Sequence, residues 1–149
     1  MFDRKKEKDN IVKFIREYFE KNNLGGVVIG ISGGKDSAVV AALFAEAIGN
    51  DRILGVTLPC HSLATDKSDA EIIAEHYKFR LVNLDLTNTY DTFKEEVYKL
   101  GDFTEEELLN SDINIKPRLR MTSLYYIAAL QTALKGKTYV VAGTSNKCE

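Results

Sequence analysis

The chain has 149 residues, 44% hydrophobic and 28% charged, with 20 Lys plus Arg against 22 Asp plus Glu and a formal charge of −2. Those proportions describe one folded domain over residues 1–149 and exclude disordered and fibrous classes. The charge balance and a pI near 5.8 give no basic face for general nucleic-acid binding. No run reaches the roughly 18 apolar residues of a membrane-spanning helix.

The first nine residues carry charges with no apolar stretch behind them, so they do not read as a signal peptide. Residues 9–22 have the spacing of an amphipathic helix, with Ile11, Phe14, Ile15, Tyr18 and Phe19 on one stripe and Asp9 as the expected cap. Val27 to Ile31 is a short β-branched run bounded by glycines, the pattern of a strand buried on both faces of a parallel sheet. A tight loop follows, and then a nearly all-apolar segment over 38–48 that predicts a helix buried all round. Further strands are expected over 53–58, 79–84 and 138–142. Between them, Asp66 is the expected cap of a helix through Tyr77. Residues 90–100 form a helix with Phe93, Val97 and Leu100 on its apolar stripe. Thr104-Glu105-Glu106-Glu107 has the form of a capping box, residues 110–117 read as irregular, and a long helix is expected over 119–134. The alternation predicts an α/β fold, a doubly wound and mostly parallel sheet of strand order 3-2-1-4 with right-handed crossovers.

Cys60 and Cys148 are far apart and form no CxxC pair, which fits reduced thiols in a cytoplasmic protein. Cys60 reads as a small filler at a strand end, and His61 and His76 receive no catalytic role.

The loop Gly30-Ile31-Ser32-Gly33-Gly34-Lys35-Asp36-Ser37 carries the first chemical signal. A strand, a glycine turn and a helix start present unpaired N–H groups and a positive dipole end, which suits phosphate. The spacing fails Gly-x-x-x-x-Gly-Lys-Ser/Thr and Gly-x-Gly-x-x-Gly. It matches Gly-x-Ser-x-Gly, but Asp36 would set a carboxylate beside a developing oxyanion. Ser-Gly-Gly-x-Asp-Ser resembles the pyrophosphate loop of the N-type ATP pyrophosphatases. Its glycine N–H groups and the Ser32 and Ser37 hydroxyls suit phosphates, and Asp36 offers a hard oxygen for Mg²⁺. Lys35 is expected to be solvated. The plain alternative is a tight βα turn with a capping serine.

Two later segments, Asn114-Ile115-Lys116-Pro117-Arg118-Leu119-Arg120-Met121 and Gly143-Thr144-Ser145-Asn146-Lys147-Cys148-Glu149, extend the pattern. With the first loop they resemble the ammonia-dependent NAD synthetases over nearly the whole chain. The resemblance implies ATP-dependent amidation of deamido-NAD through an acyl-adenylate, with ammonia as nitrogen donor and AMP and pyrophosphate released. It implies that Gly30, Ile31, Ser32, Gly33, Gly34, Lys35, Asp36, Ser37 and Thr144 bind ATP. Asp36 and Glu149 would hold Mg²⁺, and Arg118 would hold deamido-NAD. Arg120 is equally an ion-pair partner on the helix surface or a ligand contact. A homodimer is implied, with the N-terminal helix and the Tyr125-Tyr126 helix as contacts, and so is a family length beyond residue 149. Strand order 3-2-1-4 independently brings the ends of strands one and four to one crevice. The rival readings are another ATP pyrophosphatase, of the GMP synthetase or tRNA thiolation kind, and a nucleotide-binding fragment without turnover.

Overall fold

The computed structural model describes residues 3–61 and 64–144, with side chains over 64–68 left aside. Six helices and four strands alternate along it. They are α1 (Arg4–Lys21), β1 (Gly26–Gly30), α2 (Lys35–Ile48), β2 (Ile53–Thr57), α3 (Ala64–Tyr77), β3 (Arg80–Asn83), α4 (Thr87–Tyr98), α5 (Glu105–Asp112), α6 (Ile115–Lys135) and β4 (Tyr139–Ala142). The sheet has the order β3-β2-β1-β4, and every pairing is parallel.

Strand periodicity sends alternate β1 side chains to opposite layers. Val27, Ile29 and Ile31 join α1, α2 and α3 in one core, while Val28 joins Leu54, Val56 and the residues of α4 and α6 in the other. Val27, Val28, Ile29 and Val56 are fully buried; each contributes on the order of 1.5–3 kcal/mol by leaving water. Gly26 must lack a side chain, since a Cβ would enter the Arg52 carbonyl and the Tyr139 ring. A Cβ at Gly30 would stand 3.2 Å from Leu124 Cδ1, so the bare strand end lets α6 settle directly on β1.

Several sequence expectations shift. α1 starts at Arg4 and is capped by Asp3, whose carboxylate accepts the N–H groups of Lys5 and Lys6, so Asp9 lies inside the helix. Asp66 likewise falls within α3. α2 is not buried all round: α1 covers only part of it, and Val39 is 57% exposed. The stripe expected over 90–100 is also largely open: α4 ends at Tyr98, Phe93 is exposed on it and Leu100 beyond it, and Tyr90 supplies the buried contact. Residues 110–117 are not irregular, because α5 runs to Asp112 and α6 begins at Ile115. Pro117 is tolerated there because the first-turn N–H groups of a helix have no intrahelical partner to lose. The capping box forms as expected, with Thr104 Oγ1 accepting the Glu107 N–H and the Glu107 carboxylate accepting the Thr104 N–H.

Candidate functional site

The loop after β1 is organised by its two serines. Ser37 Oγ accepts the Ser32 N–H at 3.3 Å and donates to the Gly34 carbonyl at 3.0 Å. Ser32 Oγ accepts the Gly34 N–H at 3.2 Å and lies 3.3 Å from Ser37 Oγ. Gly33 has φ of +83°, a conformation that penalises any side chain. Ser37 is buried while Ser32 faces out.

Gly34 is the N-cap of α2 and no side chain caps it, so neither serine is a helix cap. The serines tie the loop to itself, and the N–H groups of Lys35, Asp36 and Ser37, at the positive end of the helix, have no hydrogen-bond partner among the described residues. The Asp36 carboxylate stands in that first turn, half-exposed and without a hydrogen-bond or ion-pair partner among the described residues.

The register places the neighbouring strand ends. Gly30 pairs with Val56, and the Ile31 N–H donates to the Val56 carbonyl at 2.9 Å. On the other side Ile29 pairs with Ala142. β1 thus ends between β2 and β4, where the strand order reverses. Leu58, the loop after β1 and Thr144 follow the carboxyl ends of these three adjacent strands. Glu149, the expected second carboxylate, lies outside the described residues, as do Cys148 and the rest of 145–149.

α6 brings its cations to the same edge. Arg120 is neither a surface ion pair nor a loose side chain: its Nε donates to the Leu58 carbonyl at 3.0 Å. Arg118 is exposed and has no partner among the described residues. Lys116 sits with its ammonium 5.1 Å from the centroid of the buried Tyr90 ring.

Sequence reasoning missed a tie on the outer side of this edge. The Leu86 N–H donates to the Pro59 carbonyl at 2.8 Å, the His61 N–H to Thr87 Oγ1 at 3.2 Å, and His61 Nε2 meets Asp91 Oδ1 at 2.8 Å. No local pattern announces contacts between residues 26 to 30 positions apart. Asp85 accepts the Thr87 N–H, and the Thr87 hydroxyl and N–H hold its carboxyl below the usual carboxylate range. Cys60 is buried at the β2 exit, as expected of a filler. Burial pushes its thiol pKa up, and Lys116 and Arg120 pull it the other way.

A doubly wound parallel sheet with a glycine loop at its switch point is the adenine-nucleotide alpha-hydrolase-like fold. The particular family is equally plain: residues 7–149 match NAD synthase, and the chain belongs to that family. It is 38% identical to the NH(3)-dependent NAD(+) synthetase of Carboxydothermus hydrogenoformans over 95% of its own length and 54% of the relative's. It superposes on the NH3-dependent NAD synthetase of Campylobacter jejuni with a TM-score of 0.80 and 30% identity, covering 99% of this chain and 58% of that one. NMN synthetase from Francisella tularensis gives 0.82 and 28%, covering 100% and 57%. The chain therefore spans about half the length of the relatives it matches.

Proposed function

We propose that this chain forms the ATP-binding half of an ammonia-dependent NAD synthetase, which amidates deamido-NAD to NAD and releases AMP and pyrophosphate. The observation that carries the reading is the uncapped start of α2, where three helix N–H groups have no partner among the described residues beside a serine-braced loop. Preorganised N–H groups offset phosphate charge without reorganising during the reaction. Gly30 to Ser37 then bind ATP, with Thr144 closing the far side of the crevice. Lys35 is exposed beside them.

Mg²⁺ fits the donor set, because the unpartnered Asp36 carboxylate is a hard oxygen beside a phosphate cradle. Asp36 and Glu149 would hold it, and bound there it neutralises the charge that develops on the phosphates. Among the described residues no group of three or more His, Cys, Asp or Glu gathers to hold a metal. Arg118 is assigned to deamido-NAD through its motif position. The chemistry required of the protein is alignment: the acceptor carboxylate must meet the α-phosphate in line, and ammonia must then reach the activated carbonyl.

Homodimerisation is part of this reading, supported by the exposed Phe14 and Tyr18 on α1 and Tyr125 and Tyr126 on α6. A cytoplasmic setting is supported by the buried Cys60 thiol. Among the described residues no helix is long and apolar enough to cross a membrane.

The test is pyrophosphate release by the chain with ATP, Mg²⁺ and ammonia, using deamido-NAD or nicotinic acid mononucleotide as acceptor. Release that depends on deamido-NAD supports the reading, and preference for the mononucleotide moves it toward the Francisella relative. ATP binding without release with either acceptor marks a binding fragment. Failure to bind ATP at all overturns the proposal.

A further inference from the structure

Lys116, Arg118 and Arg120 all lie in the first two turns of α6, but they do not share a face. At 100° per residue, Lys116 and Arg120 fall on one row and Arg118 lies about 200° from Lys116. The paired row is the one turned to the carboxyl edge of the sheet. Arg120 is bonded to Leu58, and both side chains act electrostatically on Cys60, two residues beyond Leu58. Both are half-buried, and neither has a carboxylate partner among the described residues.

Two like charges at i and i+4 repel, and partial burial sharpens the repulsion. The two carboxylates that act on Cys60 alongside the pair have partners of their own: Asp91 meets His61, and Asp85 accepts the N–H of Thr87. Each cation is nonetheless held in place. The Leu58 carbonyl takes the Arg120 Nε–H and fixes the guanidinium plane, leaving its terminal nitrogens unpaired. The Tyr90 ring holds the Lys116 ammonium. Leu58 follows the carboxyl end of β2, the strand paired with β1, so the pair stands at the strand end next to the loop after β1. A fixed guanidinium beside an ammonium is a receptor for a planar anion.

We propose that Lys116 and Arg120 form the position that receives the carboxylate of the nicotinate nucleotide, beside the α-phosphate held by the loop after β1. This rests on the ATP-dependent amidation proposed above. It places the carboxylate contact on this pair and leaves Arg118, on the opposite face, for other parts of the nucleotide. A site that reads the carboxylate distinguishes deamido-NAD from NAD, which differ only in carrying an acid or an amide.

The experiment is calorimetric titration of the chain with ATP, deamido-NAD and NAD, in the original form and as Lys116→Met and Arg120→Gln. Lys116 makes no hydrogen bond to lose, so Lys116→Met keeps the fold, and Arg120→Gln keeps an N–H donor for Leu58. Each substitution is expected to weaken deamido-NAD about tenfold, as for a lost charge-assisted contact, with NAD and ATP held within about twofold. Undiminished preference for deamido-NAD over NAD in both variants overturns the inference. So does an equal loss for all three ligands, which marks the pair as scaffold or as a phosphate contact. If the original chain binds ATP but neither dinucleotide, this inference falls and the ATP site stands. If it binds no ATP, the proposed function falls first.

Discussion

One hydroxyl, that of Ser37, closes the loop after β1 from both directions. It accepts the Ser32 N–H and donates to the Gly34 carbonyl while itself 2% exposed. Ser37→Ala leaves both backbone groups without that partner, so a loss of about 1–3 kcal/mol in urea-induced unfolding is expected, together with weaker ATP binding. Ser32→Ala is expected to cost less than about 1 kcal/mol in the same measurement, because the exposed Gly34 N–H can turn to water. Equal losses from the two substitutions would contradict the assignment of Ser37 as the brace. The residue types of this loop were legible in the sequence. Which serine bears the structural role was not, since it depends on Ser37 occupying the buried side of the first turn of α2.

The start of α4 is braced by Asp85, whose carboxylate accepts from Thr87 more strongly when ionised. Its pKa is lower in the folded chain than in the unfolded one. The stabilisation is therefore fully present above the unfolded value and lost as pH falls through the folded one. Acidification should release the first turn of α4, and with it the His61 N–H to Thr87 bond, earlier than the rest of the helix. Amide exchange of Leu86 to Tyr90 followed from pH 6 down to about pH 3 measures this, and Asp85→Ala should show the released behaviour already at pH 6. The strands and the Thr104 capping box could be read from local pattern because their determinants lie within a few residues. The start of α6 could not, because Pro117 reads as a breaker until the helix is known to begin two residues before it. Val39 and Phe93 misled for the opposite reason: apolar residues announce burial, but neighbouring helices decide which of them is covered. The Arg120 to Leu58 bond joins residues 62 apart, and nothing near either residue signals it.

At the scale of the molecule, α6 has two unlike faces. One packs on β1 and β4 through Leu124, Ile127 and Ala128, while Met121, Tyr125, Tyr126, Leu130 and Leu134 stand between 46% and 75% exposed. So much apolar surface on one helix favours association. Light scattering of the chain at micromolar concentration is expected to give twice the 16.7 kDa monomer mass, reduced to monomer by Tyr125→Lys together with Tyr126→Lys. A monomeric original chain would count against the dimer. The order of the sheet has a further consequence, one of kinetics. β1 is held on both sides, by β2 and by β4, whereas β3 and β4 each have one partner among the described strands. Local opening therefore begins at the margins and reaches Val27 to Ile29 last, so those amides should be among the slowest to exchange with deuterium. The loop proposed to receive a nucleotide is thus anchored to the part of the chain expected to open most rarely.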